Sequence, residues 1–114
     1  MEKFVEQTLL YDFYGELLTQ HQKAIYEEAV FEDMGYSEIA QEHGISRQGV
    51  YDLIKRCNAI LEDYEDKLHL VEKFLKTRGD VTRMRELARK FKSEHDEATL
   101  DEMIGIADDI LANS

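Results

Sequence analysis

The chain has 114 residues, one cysteine, no proline and a formal net charge of −11. A chain of this length can bury a core without a disulfide or a structural metal, and one cysteine excludes an intrachain disulfide. No apolar run approaches the roughly 20 residues of a membrane span, and the N-terminus lacks the pattern of a signal peptide. Helix formers dominate over strand formers, so we expect an all-α, cytoplasmic protein with no membrane partner.

The first two helices are predicted by periodicity and capping. Residues 4–18 carry apolar side chains at helical spacing, which indicates a helix with a broad buried stripe. Thr19 and Gln22 form a capping-box pattern that opens a second helix reaching about Asp33, and Gly35 is expected to end it. The aromatic residues of this region are interpreted as core.

The stretch 36–56 combines the constraints of a helix-turn-helix. Ser37 is a candidate N-cap of its first helix, and Gly44 stands where a chain leaving a helix often turns left-handed. Ser46 can cap a second helix that buries Val50 and the apolar residues one turn on. The alternative, an ordinary helical hairpin, does not require all of these features in one window. The stretch therefore predicts a helix-turn-helix.

One long helix is predicted over about 47–76. Its apolar residues alternate in steps of four and three, a seven-residue repeat typical of a helix that packs along another helix. This seam consists of Val50, Ile54, Cys57, Leu61, Tyr64, Leu68, Val71 and Leu75. Its partner is either a helix of the same chain or the same helix of a second chain, which would give a homodimer through the long helix. Cys57 is interpreted as a small core hydrophobe.

The last two helices form a predicted C-terminal hairpin. Gly79 is expected to end the long helix and Asp80 to begin the next, which reaches about Lys92. A final helix is expected to start at Ser93 or Asp96. These patterns divide the chain into a helix-turn-helix domain, residues 1–58, and a long-helix extension with the hairpin, residues 59–114.

Charge is distributed unevenly along the chain. Residues 73–92 carry eight bases against two acids, whereas residues 93–114 carry seven acids and no base. The simplest interpretation pairs the acidic last helix with the basic stretch, within or between chains. The alternative assigns the basic stretch to nucleic acid. Its exposed bases form a secondary basic patch, which consists of Arg83, Arg85, Arg89, Lys90 and Lys92.

No catalytic signature is visible. There is no phosphate-binding glycine loop, no nucleophile elbow and no His-Glu-x-x-His motif. The four histidines lie on different predicted helices without ligand spacing: His21, His43, His69 and His95. We therefore expect no enzyme activity, no cofactor and no metal site.

Candidate DNA-binding residues lie at the start of the second helix of the motif, which in a helix-turn-helix enters the major groove. Arginine can pair with guanine and glutamine with adenine, and a helix N-terminus can hold a phosphate. The set is Ser46, Arg47, Gln48, Tyr51, Lys55 and Arg56. Residues 36–56 carry three bases and three acids, so a monomer should bind weakly at physiological salt. A dimer that reads two half-sites would bind more tightly.

Two resemblances meet at these residues. Tyr36–Arg56, with the preceding helix from Thr19, is similar to the fourth conserved region of bacterial sigma factors, whose helix-turn-helix reads promoter DNA. The whole chain more closely resembles the YlxM family of small proteins, which are predicted to bind DNA. The blocks that carry this resemblance are Leu10–Thr19, Tyr36–Ala40 and Gly44–Arg56.

The resemblance to the YlxM family implies a bacterial cytoplasmic protein whose gene lies beside those of the signal recognition particle and its receptor. It implies regulation of, or assistance to, protein targeting, and it would place Arg47, Gln48, Tyr51, Lys55 and Arg56 at the DNA. Two hypotheses result. The first is a DNA-binding regulatory protein, and the second is an adaptor that binds protein or RNA of the particle without reading DNA sequence.

Overall fold

The computed structural model describes residues 2–113, and this part of the chain forms six α-helices and no strand. The predicted all-α class is confirmed. A 3₁₀ turn, Gly15–Leu17, follows the first helix. The helices are α1 (Lys3–Tyr14), α2 (Gln20–Val30), α3 (Tyr36–His43), α4 (Arg47–Leu68), α5 (Leu70–Glu94) and α6 (Glu97–Ala112).

The chain divides into two compact units, Met1–Val71 and Glu72–Ser114, which we call unit 1 and unit 2. The boundary between a helix-turn-helix domain, residues 1–58, and an extension, residues 59–114, stays a prediction. None of the helices in the described part is long and apolar enough to cross a membrane.

The centre of unit 1 is α4, which packs against α1, α2 and α3. The four seam residues Val50, Ile54, Cys57 and Leu61 are buried there, which also confirms Cys57 as a core residue. Over these positions the seam packs within the chain, so it is not available for a homodimer through the long helix. The interior also contains Tyr26, which has no exposed surface.

The buried stripe of α1 is narrower than predicted. Leu10 and Tyr14 are buried, whereas Phe4 is more than half exposed. The helix also ends at Tyr14, before the predicted 18, and Leu17 of the following 3₁₀ turn is more than half exposed. A single helix packed on one side buries only about a third of its circumference. The apolar spacing of residues 4–18 therefore overstated the contact area.

The segment between α2 and α3 differs from the prediction. α2 ends at Val30 rather than near Asp33, which has a positive φ of 55°. Gly35 does not end α2 but is the N-cap of α3, since its carbonyl already accepts a hydrogen bond from the Ile39 amide at 3.0 Å. Ser37 therefore lies inside the first turn of α3, and its predicted role as N-cap is wrong.

Three predicted caps are confirmed. The Thr19 side chain and Gln22 form a complete capping box at the start of α2. Gly44 has a φ of 67° and ends α3, and the Ile45 amide donates to the carbonyl of the preceding turn at 3.0 Å. The Ser46 hydroxyl caps α4 by accepting from the third amide beyond it at 2.9 Å.

The predicted long helix over 47–76 is wrong in its bounds. α4 ends at Leu68, and His69 takes a left-handed conformation with a φ of 56°. α5 then runs without interruption through Gly79, so the predicted stop at Gly79 and restart at Asp80 are also wrong. A glycine costs a helix about 1 kcal/mol relative to alanine, which lowers its stability but does not end it.

Unit 2 contains most of α5 and all of α6. Asp96 is the N-cap of α6, as one of the two alternatives predicted, whereas Ser93 is still part of α5. Ion pairs join the two helices, and the predicted pairing of the acidic helix with the basic stretch is confirmed within the chain. The pairs are Lys76–Asp109 at 2.8 Å and Arg83–Glu102 at 3.0 Å.

Candidate nucleic-acid interface

The helix-turn-helix consists of α3, a three-residue turn and α4. Ile39 and Ala40 are buried on the inner side of α3, where the two helices pack together. Gly44 allows the left-handed turn without the strain that a side chain would add at positive φ. Gly49 lies in the first turn of α4, and a Cβ there would approach the Ser46 hydroxyl oxygen to 3.0 Å. Both glycines thus preserve the turn and its cap.

The predicted DNA-binding side chains share the outer side of α4. Val50, Ile54 and Cys57 occupy its buried side, and helical periodicity directs the remaining positions to solvent. The structure places the following residues in exposed positions over the first three turns: Arg47, Gln48, Tyr51, Lys55 and Arg56. Ser46, the sixth predicted residue, is exposed at the N-terminus of the helix.

Charge on this outer side is only partly balanced by local contacts. The Gln48 side-chain amide donates to Asp52 Oδ1 at 3.0 Å, so these two residues engage each other one turn apart. Within residues 2–113, the structure gives no ion pair to Arg47, Lys55 or Arg56. Three positive side chains are therefore available to an anionic ligand, while Asp52 opposes it.

Two open grooves flank the outer side of α4. One, of about 410 Å³, is lined in part by Tyr36, Tyr51 and Lys55 and also by Lys3 of α1. The rings of Tyr36 and Tyr51 lie 6.5 Å apart. The other, of about 470 Å³, lies between the start of α2 and Arg56.

Tyr36 and Lys3 also belong to this surface, although neither is among the residues predicted from the sequence. Tyr36 could have been recognised, because it is the first residue of the motif. Lys3 lies far away along the chain, and only the packing of α1 against α4 brings it near Lys55.

The core beneath the site contains groups whose ionisation is suppressed by burial. Burial raises the pKa of the Cys57 thiol to about 11, and the nearby Arg56 opposes this shift only weakly. Burial also raises the pKa of Tyr26 to about 12, and its hydroxyl donates to Asn58 Oδ1 at 2.7 Å. Both groups are therefore neutral at physiological pH and act as packing residues.

Among residues 2–113, one group of side chains has the residue types and the spacing that could hold a metal ion. Ligand atoms of Glu28, Glu42 and His43 lie within 4.8 Å of one another, and the ring of His21 is 6.0 Å from that of His43. His43 Nε2 contacts both Glu28 carboxylate oxygens, at 2.9 and 3.2 Å. This geometry is that of a hydrogen bond that joins α2 to α3. Sequence spacing had treated these histidines as separate.

The secondary basic patch is partly neutralised by acidic neighbours. Arg83 pairs with Glu102, and more loosely with Glu86 at 3.6 Å. Lys90 lies 3.9 Å from Glu94. The other members, Arg85, Arg89 and Lys92, are exposed, and the described contacts include no ion pair for them.

The short α3, the left-handed turn at Gly44 and the capped α4 with an exposed polar outer side define a helix-turn-helix protein. Comparison with known proteins agrees with this class. The chain belongs to the UPF0122 family, described as "Putative helix-turn-helix protein, YlxM / p13 like", whose model matches residues 1–102. The resemblance to the YlxM family is thereby confirmed.

Several Bacillus proteins are similar to the chain over most of its length. UPF0122 protein YlxM of Bacillus subtilis is 40% identical over 104 residues, which cover 91% of this chain and 94% of the relative. A UPF0122 protein of Bacillus pumilus is 41% identical over 104 residues, covering 90% and 94%. One of Bacillus thuringiensis is 44% identical over 87 residues, covering 76% and 79%.

Proposed function

We propose that this protein is a DNA-binding regulatory protein of the bacterial cytoplasm, which places α4 in the major groove of duplex DNA in the manner of the fourth region of sigma factors. The observation that supports it best is the exposure of Arg47, Gln48 and Tyr51 at the N-terminal end of α4, directly after the turn. In a helix-turn-helix, these are the positions that reach base edges.

Each candidate residue has a distinct role in this proposal. Arg47 can donate two hydrogen bonds to a guanine, and Gln48 can exchange its contact with Asp52 for an adenine. Lys55 and Arg56 contact phosphates, which adds affinity without sequence preference. The Ser46 oxygen accepts from an amide of α4, and its hydroxyl hydrogen can still donate to a phosphate.

The protein binds DNA as a homodimer in this proposal. Residues 36–56 have balanced charge, so one copy supplies few phosphate contacts and too little affinity at physiological salt. Two copies that read two half-sites combine their binding free energies through a high effective concentration.

A fluorescence-anisotropy titration tests DNA binding. Labelled fragments of bacterial genomic duplex DNA are titrated at about 50 and 200 mM salt, and affinity is expected to fall steeply between the two. The double variant Arg47→Ala/Arg56→Ala should lose at least about tenfold in affinity and show a shallower salt dependence. Tight binding that is insensitive to both changes would overturn the proposal.

Two further variants make the titration specific to the outer side of α4. Asp52→Asn removes the charge that repels phosphate and should strengthen DNA binding by about two- to fivefold. Lys67→Ala removes a base near the C-terminal end of the same helix and should leave binding within about twofold of the parent. If Lys67→Ala weakens binding as much as the double variant does, only overall charge matters.

A second candidate function is an adaptor of the signal recognition particle pathway that keeps the fold without reading DNA sequence. It is supported by the net charge of −11 and by the family resemblance, since acidic surface opposes DNA. The acidic helices would contact the particle's protein, and the secondary basic patch its RNA. Pull-downs with the purified protein and RNA of the particle test this alternative, which fails if neither is recovered.

A further inference from the structure

The helical hairpin of unit 2 has an ionic flank. Lys76 pairs with Asp109 and Arg83 pairs with Glu102. Arg83 follows Lys76 by seven residues on α5, whereas Glu102 precedes Asp109 by seven residues on α6. The two helices are therefore antiparallel in a defined register. Both pairs lie on the same side of the hairpin, because seven residues make nearly two complete helical turns.

The opposite flank of the hairpin is apolar. Val81 and Ile104 are 54% and 59% exposed, and the register places them at the same level. Each lies two residues from a member of the Arg83–Glu102 pair, which is about 200° around its helix and thus on the other side. Leu100, 38% exposed, extends this surface by one turn. We call Val81, Leu100 and Ile104 the apolar flank.

Charged residues border the apolar flank, and the two borders have opposite sign. Arg78, Arg85 and Arg89 stand along its α5 side. The α6 side carries Glu97, Asp101 and Asp108. All six are exposed, and none forms an ion pair among residues 2–113.

The register aligns these borders. To within one residue, about 1.5 Å of helical rise, the level of each arginine matches that of one acid. The matched levels are those of Arg78 with Asp108, Arg85 with Asp101, and Arg89 with Glu97.

We propose that the apolar flank is the interface of a homodimer, in which it packs against the same flank of a second copy with α5 facing the partner's α6. A twofold axis parallel to the helices leaves the height of every residue along the helices unchanged. It places the arginine border of one copy opposite the acidic border of the other. Each arginine of one copy then faces an acid of the other, so three pairs form twice. A twofold axis perpendicular to the helices would instead place arginines against arginines, which is repulsive.

A second copy fits this surface better than nucleic acid does. Duplex DNA would meet Asp101 and Asp108 beside the arginines, and its phosphates would leave Val81 and Ile104 uncovered. In the described part of unit 2, only Leu87 and Thr99 are buried, which is a small core for a pair of helices. Two hairpins together form a four-helix bundle, which buries more apolar surface from water.

This inference rests on the homodimer of the proposed function and gives it an interface in unit 2, in place of the long-helix seam that the sequence predicted. Analytical ultracentrifugation of the full chain without nucleic acid tests it. The parent is expected to be a dimer at micromolar concentration. Val81→Glu and Ile104→Glu each place charge in the interface and should raise the dimer dissociation constant at least about 100-fold. Circular dichroism establishes that the variants remain helical.

A matched control and a charge swap make the result specific. Leu17 of unit 1 is 54% exposed, as Val81 is, so Leu17→Glu should leave the dimer intact. Arg85→Glu alone should weaken the dimer about tenfold, and Asp101→Arg added to it should restore the dimer, because the pair is reversed.

Three results would overturn the inference: a monomeric parent, a dimer that survives both Val81→Glu and Ile104→Glu, or a charge swap that fails to restore association. Its failure can be distinguished from failure of DNA binding. A parent that dimerises but binds no duplex DNA would contradict the proposed function and support the interface.

Discussion

Tyr14 of α1 and Glu65 of α4 are joined by a hydrogen bond of 2.6 Å, in which the tyrosine hydroxyl donates to Glu65 Oε1. The same two groups accept from the first amides of α5: the Leu70 amide donates to the Tyr14 hydroxyl at 3.1 Å, and the Val71 amide donates to Glu65 Oε1 at 2.9 Å. The first amides of a helix have no partner within the helix. The α4–α5 junction at His69 therefore leaves these two donors satisfied.

Removing the Tyr14 hydroxyl should destabilise unit 1. In Tyr14→Phe, Glu65 loses one of its hydrogen-bond donors and the Leu70 amide loses its acceptor in a half-buried place. The free energy of unfolding should fall by about 1–3 kcal/mol. Urea denaturation followed by circular dichroism measures this change.

Tyr64→Phe is the matched control for that measurement. The ring of Tyr64 stacks on Tyr14 at 6.0 Å, but its hydroxyl forms no hydrogen bond in the described contacts. The control should change the free energy of unfolding by less than about 0.5 kcal/mol. Equal effects from the two variants would contradict the capping role of Tyr14.

Two glycine substitutions should have opposite effects on stability. Gly79 lies within α5 with open space where a Cβ would project, so Gly79→Ala should raise stability by about 0.5–1 kcal/mol. Gly44 has a φ of 67°, so Gly44→Ala should lower stability by about 1 kcal/mol through backbone strain. Thermal melts compare both variants with the parent. A destabilised Gly79→Ala would indicate that α5 breaks at this residue.

Cys57 should be unreactive in the native protein. Burial raises its pKa to about 11, so at pH 8 only about one thiol in a thousand is ionised, and the side chain has no exposed surface. Labelling with a chromogenic disulfide reagent should be at least about 100-fold slower in buffer than in denaturant. One thiol per chain should react in denaturant, since the sequence has one cysteine. Rapid native labelling would show that α4 opens readily.

Stability should decline at alkaline pH. The pKa of Cys57 is raised from 9.0 to about 11 and that of Tyr26 from 10.0 to about 12, both mainly by burial. A raised pKa means that the folded state holds the proton more tightly than the unfolded state does. The stabilisation is therefore fully present below pH 9 and is lost as the pH rises through about 11 and 12.

Equilibrium unfolding between pH 8 and 12 measures this decline. The variant Tyr26→Phe loses the hydrogen bond to Asn58, so it starts less stable, but it should lose less free energy of unfolding over this range because it has no hydroxyl to ionise there. Parallel curves for the two proteins would contradict the burial of the Tyr26 hydroxyl.

Local features of the fold could be read from the sequence, because their causes lie within a few residues. The capping box at Thr19, the left-handed turn at Gly44 and the cap at Ser46 all depend on contacts less than six residues apart. The exposed outer side of α4 could be read as well, since helical periodicity separates it from the buried residues Val50 and Ile54.

The wrong bounds of the long helix arise where a distant contact competes with a local signal. Gly79 is a good helix terminator by its residue type, yet the chain breaks at His69. The next amide, that of Leu70, donates to the hydroxyl of Tyr14, which lies 56 residues earlier in the chain. In the same way, Lys3 belongs to the groove beside Lys55 only because α1 packs on α4.

The sequence by itself determined the helix-turn-helix, its caps at Gly44 and Ser46 and the candidate DNA-binding side chains, because these depend on local hydrogen bonds and on one helical period. Only the tertiary structure decided that the α4 seam is buried within the chain and that the break falls at His69. It also decided that Arg83 pairs with Glu102, which leaves Val81 and Ile104 exposed on the other flank of the hairpin. These outcomes depend on which helices lie side by side, and packing free energy summed over distant residues sets that choice.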